Sequence, residues 1–128
     1  MSVKDKLRVL VVDDTATSRA LLLQALDGFG IGNVEHAPDG QAALTSLAKR
    51  PVHLIISDYY MPNMDGLSLL QSVRSDAKTA KTGFILVSGR ADQNILDRGK
   101  KLKMNNVVLK PFTADQLRKA IEAVVGRL

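Results

Sequence analysis

Five polar side chains in this 128-residue sequence stand directly after short apolar runs. Asp13 and Asp14 follow Val9 to Val12, and Asp58 follows Leu54 to Ser57. Ser88 follows Phe84 to Val87, and Lys110, itself followed by Pro111, ends the run Val107 to Leu109. Three carboxylates gathered in one place repel, and raise one another's pKa unless a cation joins them. A donor set of oxygens, without Cys or clustered His, selects a hard ion. Mg2+ suits a site with few carboxylates because it retains several waters. Bound in that way it leaves positions open for phosphoryl oxygens, and Lys110 adds a second positive charge. Such a constellation stabilises an already anionic phosphoryl group. Asp58 can then act as a nucleophile and form an aspartyl-phosphate.

These residues meet only if the apolar runs are parallel strands of one sheet. The runs, with a weaker one at Val34 to Ala37, are continuous and rich in β-branched residues, as expected of strands covered on both faces. The stretches between them read as helices. Leu21, Leu22, Ala25, Leu26 and Phe29 share one face, and Leu117, Ile121, Val124, Val125 and Leu128 keep the helical period. Asp39-Gly40, Asp65-Gly66 and the capping box Thr113 with Gln116 mark helix starts. Five strands alternating with five helices give an α/β fold, a single (βα)5 doubly wound parallel sheet forming one domain over residues 1–128. Ligands of such sheets bind beyond the carboxyl ends of the strands. Read singly, each of the five side chains has a plainer role: turn, cap, loop residue or solvated lysine. Their placement together at four strand ends of one sheet points to chemistry.

Composition narrows the classes further. The chain has no cysteine, which excludes a disulfide framework, thiolate zinc and thiol catalysis, and only two separated histidines, His36 and His53. No apolar run exceeds four residues, so neither a membrane span nor a signal-peptide core is expected, and a cytoplasmic protein is. Gly28, Gly30 and Gly32 spell GxGxG but follow a helix and precede a strand, so they read as a helix stop, not a dinucleotide loop. The net charge of +5 lies wholly in residues 90–128, which hold nine basic and four acidic side chains; residues 1–89 balance at nine each. That basic segment has one aromatic residue, Phe112, so a stacking platform for nucleic acid is not expected.

The motifs VLVVDD (9–14), ISDYYMPNMDG (56–66), ILVSG (85–89) and VLKPF (108–112) together resemble the response-regulator receiver family over the whole chain, and specifically its stand-alone, CheY-like chemotaxis members. The resemblance implies a flavodoxin-like sheet of strand order 2-1-3-4-5. It implies Asp58 as the phosphoacceptor for a histidine kinase of the CheA type. Asp13, Asp14, Asp58 and the backbone carbonyl of Tyr60 would then be Mg2+ ligands. Ser88 would be the hydroxyl that swings to the phosphoryl oxygen, and Lys110, before a cis proline, the lysine that pairs with it. The helix before the last strand, and that strand, would change their outer face on phosphorylation. Partners would be that kinase and either the flagellar motor switch or, in a phosphate sink, no output partner; a phosphatase is a further candidate. The protein would be a monomer with no nucleic acid or membrane bound, catalysing only its own phosphoryl transfer and dephosphorylation.

The sequence departs from the family pattern in three respects. Val107 occupies the place of the usual aromatic switch residue. Tyr60 and Arg90 flank the approach of a hydrolytic water. Gly99 to Met104, with Lys100, Lys101 and Lys103, replaces a small-residue segment and makes the output face basic; Arg98, Arg118 and Lys119 extend it. Two rival readings remain: a receiver of a phosphorelay outside chemotaxis, and a haloacid-dehalogenase-like Mg2+ phosphatase. The latter needs an aspartate at position 15, where Thr15 stands.

Overall fold

The computed structural model describes residues 3–128. The strands are β1 (Arg8–Val12), β2 (Asn33–Ala37), β3 (Leu54–Asp58), β4 (Gly83–Ser88) and β5 (Asn106–Leu109). The helices are α1 (Val3–Lys6), α2 (Ala16–Gly28), α3 (Gly40–Lys49), α4 (Gly66–Ser75), α5 (Gln93–Lys101) and α6 (Ala114–Val125). All four strand pairings are parallel, in the order β2-β1-β3-β4-β5. The five strands agree with the apolar runs, and their order is the one the family resemblance implied. The sixth helix, α1, is a single turn before β1 that the apolar pattern did not signal.

Side chains on a strand point alternately to opposite faces, and this period of two divides the core. Val9, Val11, Leu54, Ile56, Ile85 and Val87 face α2 and α6, where Leu22, Leu26, Leu117 and Ile121 complete one apolar cluster. Leu10, Val12, Ile55, Phe84 and Leu86 face the other way, onto Ala43, Leu47, Leu67, Leu70, Val73 and Ile95 of α3, α4 and α5. The central strands β3 and β4 are buried throughout, whereas β2 and β5, at the edges, are partly exposed. That explains why the Val34 run is the weakest of the five.

The start signals form as expected. Asp39 and Asp65 accept hydrogen bonds from Ala42 N and Ser68 N, and Thr113 with Gln116 closes the capping box. Asp92 caps α5 in the same way. Gly30, at φ 83°, turns the chain after α2, as the glycine-rich stop required. Leu21 is a correction. It is 56% exposed, because α2 turns Leu22 and Leu26 to the sheet and leaves Leu21 on its flank. There, with Ala25, Phe29, Pro111 and Phe112, it lines a groove of about 870 Å³ beside Lys110.

The end of α5 holds a backbone outlier. Met104 N donates to Gly99 O and Lys103 N to Lys100 O, closing the helix with Lys103 in the left-handed region at φ 59°. Glycine usually takes that place, because a β-carbon there costs about 1–2 kcal/mol. Lys103→Gly is therefore expected to stabilise the protein by about 0.5–1 kcal/mol, after the greater freedom glycine gives the unfolded chain. A rise of a few degrees in melting temperature measures it, and a fall would contradict it.

Candidate functional site

Backbone hydrogen bonds extend the ladder past the strand ends and fix the residues that follow. Asp13 N donates to Ala37 O, Tyr59 N to Val87 O and Lys110 N to Ser88 O, at 3.1, 2.9 and 2.8 Å. Registers Val12↔Ser57, Asp58↔Val87 and Ser88↔Leu109 place these ends side by side. At Gly66 the first turn of α4 lies so close to β3 that a β-carbon would stand 2.6 Å from Asp58 O. Only glycine permits that approach.

The result is one rim. One carboxylate oxygen each of Asp13, Asp14 and Asp58 lies within 4.8 Å of the others. Asp13 is fully buried, Asp58 is 6% exposed, and Asp14 is open to solvent. Lys110 Nζ lies 3.0 Å from Asp58 Oδ1 and 3.9 Å from Asp13 Oδ2. Burial raises the Asp58 pKa above its ordinary value and the neighbouring Asp13 adds to this, while the hydrogen bond and charge of Lys110 oppose it. One ammonium cannot offset three carboxylates. The remaining negative charge, carried by oxygen donors alone, fits a hard divalent cation. The Tyr60 carbonyl accepts no hydrogen bond from the described residues, whereas the carbonyl of Tyr59 is taken by Gly66 N.

Ser88 is buried at the end of β4. Its Oγ accepts from Arg90 N at 3.2 Å, which leaves the hydroxyl proton to donate elsewhere. Tyr60 is 75% exposed, its ring set edge-on against Tyr59 with centroids 5.7 Å apart. Val107, Lys100, Lys101 and Lys103 lie apart from the rim, on α5, the turn after it and β5. The Lys110–Pro111 bond is cis. His53 serves the backbone, its Nδ1 accepting from Arg8 N.

Two residues of the site escape the strand-end reading. Ser18 Oγ donates to Asp13 Oδ2 at 2.5 Å and accepts from Lys110 Nζ at 3.0 Å. Arg19 Nη1 donates to Asp13 O at 2.8 Å. The available signal was helical: a helix opening at Ala16 turns positions 18 and 19 back over the strand end that precedes it.

Residues 9–122 match the family described as "Response regulator receiver domain". The chain is 43% identical over 128 residues to "Probable chemotaxis protein CheY" of Rhizobium etli, covering 100% of this chain and 99% of that one. It is 29% identical over 122 residues to "Chemotaxis protein CheY-3" of Vibrio cholerae, covering 95% and 94%. Among solved structures, Vibrio cholerae chemotaxis protein CheY4 superposes with a TM-score of 0.87 at 30% identity, covering 92% of this chain and 98% of that one.

Proposed function

Because this chain belongs to the response regulator receiver domain family, we propose that it is a phosphorylation switch of chemotaxis signalling, charged at Asp58 by a histidine kinase. The observation that carries this reading is the buried Asp58 carboxylate held 3.0 Å from Lys110 inside a cluster of three carboxylates. Likeness to proteins named for chemotaxis over nearly their whole length supports the finer assignment.

Asp13, Asp14, Asp58 and the Tyr60 carbonyl would hold Mg2+, which when bound neutralises the carboxylates and the phosphoryl oxygens. The protein's own groups do the rest. A carboxylate oxygen of Asp58 attacks phosphorus, forming the O–P bond as the bond from phosphorus to the donor histidine nitrogen breaks. The electron pair of that bond leaves with the imidazole. Lys110, already against Asp58, offers its ammonium to the transferred group, and Ser88 donates its free proton to a phosphoryl oxygen. Attack by water on phosphorus later returns Asp58 and releases phosphate. The chain thus catalyses only reactions of its own side chain. The described residues contain no helix long and apolar enough to cross a membrane, in keeping with a cytoplasmic site of action.

Intact-protein mass after incubation with a small phosphodonor tests the proposal. Addition of one phosphoryl group with Mg2+, and none without it, is expected; no addition in either condition would overturn it. Hydrolysis should then depend on Tyr60, whose exposed ring stands two residues beyond the acceptor and narrows the path of the attacking water. Tyr60→Asn is expected to speed loss of the adduct several-fold, and an unchanged rate would contradict the shielding role.

The output surface is basic. Among the described residues, Arg98, Lys100, Lys101 and Lys103 have no carboxylate within ion-pair distance, and they suit an acidic partner such as a motor switch protein. Lys100→Glu combined with Lys101→Glu is expected to abolish recovery of that partner by the phosphorylated protein, with adduct formation intact. Recovery at the wild-type level would remove these lysines from the interface.

A further inference from the structure

Ser18 lies in the first turn of α2, which is seated on the acidic rim by Thr15 N donating to Asp13 Oδ1 at 3.0 Å. Its hydroxyl stands between two charged groups, 2.5 Å from Asp13 Oδ2 and 3.0 Å from Lys110 Nζ. The direction of both bonds is forced. An ammonium only donates and an ionised carboxylate only accepts, so the Ser18 proton goes to Asp13 and its lone pair receives Lys110. Lys110 is meanwhile in hydrogen-bond contact with Asp58 at 3.0 Å, but 3.9 Å from Asp13. The Ser18 oxygen therefore takes up an ammonium proton and a lone pair of Asp13 Oδ2 that would otherwise be free to pair with each other.

We propose that Ser18 is a positioning residue that holds Lys110 off Asp13, leaving the buried carboxylate open to a divalent cation and directing the ammonium to Asp58. Without that oxygen the ammonium closes the gap. A direct ion pair then competes with the cation for Asp13 Oδ2, and Lys110 is drawn away from the acceptor. The inference rests on the reading of Asp13, Asp14 and Asp58 as a Mg2+ site.

Calorimetric titration with Mg2+ tests it in five proteins: wild type, Ser18→Ala, Ser18→Thr, Lys110→Met and the Ser18→Ala/Lys110→Met pair. Ser18→Ala is expected to weaken Mg2+ binding about tenfold, the usual scale for losing a group that orients a ligand, and Ser18→Thr to restore it. In the Lys110→Met background, where no ammonium can compete, the same loss of the hydroxyl should change binding little. That background dependence separates the proposed role from simple loss of a hydrogen bond to Asp13, which would weaken binding equally in both backgrounds. Equal losses, or Ser18→Ala binding as wild type does, would overturn the positioning role while the metal site stands. Absence of Mg2+ binding by the wild-type protein would overturn the metal reading and this inference with it. Thermal melting of each protein identifies any variant that fails to fold; Ser18→Thr, with hydroxyl retained, then carries the comparison against Lys110→Met.

Discussion

Asp58→Asn protein is expected to take up no phosphoryl group from any donor and, in Mg2+-free buffer at neutral pH, to melt a few degrees higher than wild type. The first effect is chemical: a neutral amide oxygen is far too weak a nucleophile to displace the donor. The second follows from where the carboxylate sits. Burial raises the Asp58 pKa above 3.8 in the folded protein, and Asp13 raises it further despite Lys110. Between the unfolded and folded pKa values the folded state holds a proton that the unfolded state has released, so stability falls as pH rises through that window. Above the folded pKa the whole cost of keeping Asp58 ionised is present, and asparagine removes it while its side-chain oxygen can still accept from Lys110. The advantage of Asp58→Asn should therefore shrink as pH is lowered through the window. Thermal melts across pH, paired with intact mass, measure both effects. An adduct persisting in Asp58→Asn would move the acceptor elsewhere. A variant less stable than wild type at neutral pH would mean that Lys110 outweighs burial and Asp13.

Arg74→Ala is expected to cost about 3–4 kcal/mol, the scale of breaking a hydrogen-bonded network around a partly buried charge. From the last turn of α4 its guanidinium donates to five acceptors. Nε reaches Leu102 O at 3.2 Å; Nη1 reaches Ala80 O and Thr82 O at 3.1 and 2.6 Å; Nη2 reaches Lys103 O and Asn105 Oδ1 at 3.0 and 3.1 Å. Burial pulls its pKa below the ordinary guanidinium value, yet the group stays charged at any working pH. One side chain thus ties α4 to the loop entering β4 and to the turn entering β5. Asn105 Oδ1, shared with Phe84 N at 2.8 Å, locks the two strands' starts together. Arg74→Lys should recover only a minor part of the loss, because a point charge cannot span a planar fork of donors. A fall in melting temperature of about 10 °C or more is the corresponding reading. A loss below about 1 kcal/mol would mean that water satisfies these carbonyls equally well. The same staple supports the turn that carries Lys103, so the variant also loosens the basic surface assigned to output.

Arg74 illustrates what a linear reading misses. Its acceptors, mostly backbone carbonyls, lie 6 to 31 residues away in sequence, and carbonyls leave no signature in residue type. Leu21 fails for a related reason: helical periodicity marks an apolar face but not which part of it the sheet reaches. Ser18 was hidden because a serine in a first helical turn has no distinctive spacing.

Apolar runs bounded by polar residues, read with period two and period 3.6, did determine five strands, the helices between them and the capped starts at Asp39, Asp65 and Thr113. Strand-end logic then assembled Asp13, Asp14, Asp58, Ser88 and Lys110 without coordinates, because a parallel sheet carries every carboxyl end to one rim. Burial pattern and chain direction are local properties, and sequence encodes them directly. Tertiary structure alone decided the distances: Lys110 on Asp58 rather than Asp13, the Ser18 oxygen between them, and the desolvation that raises the Asp58 pKa. Those depend on how closely α2 and α4 approach the strand ends, and packing across long separations in sequence sets that approach.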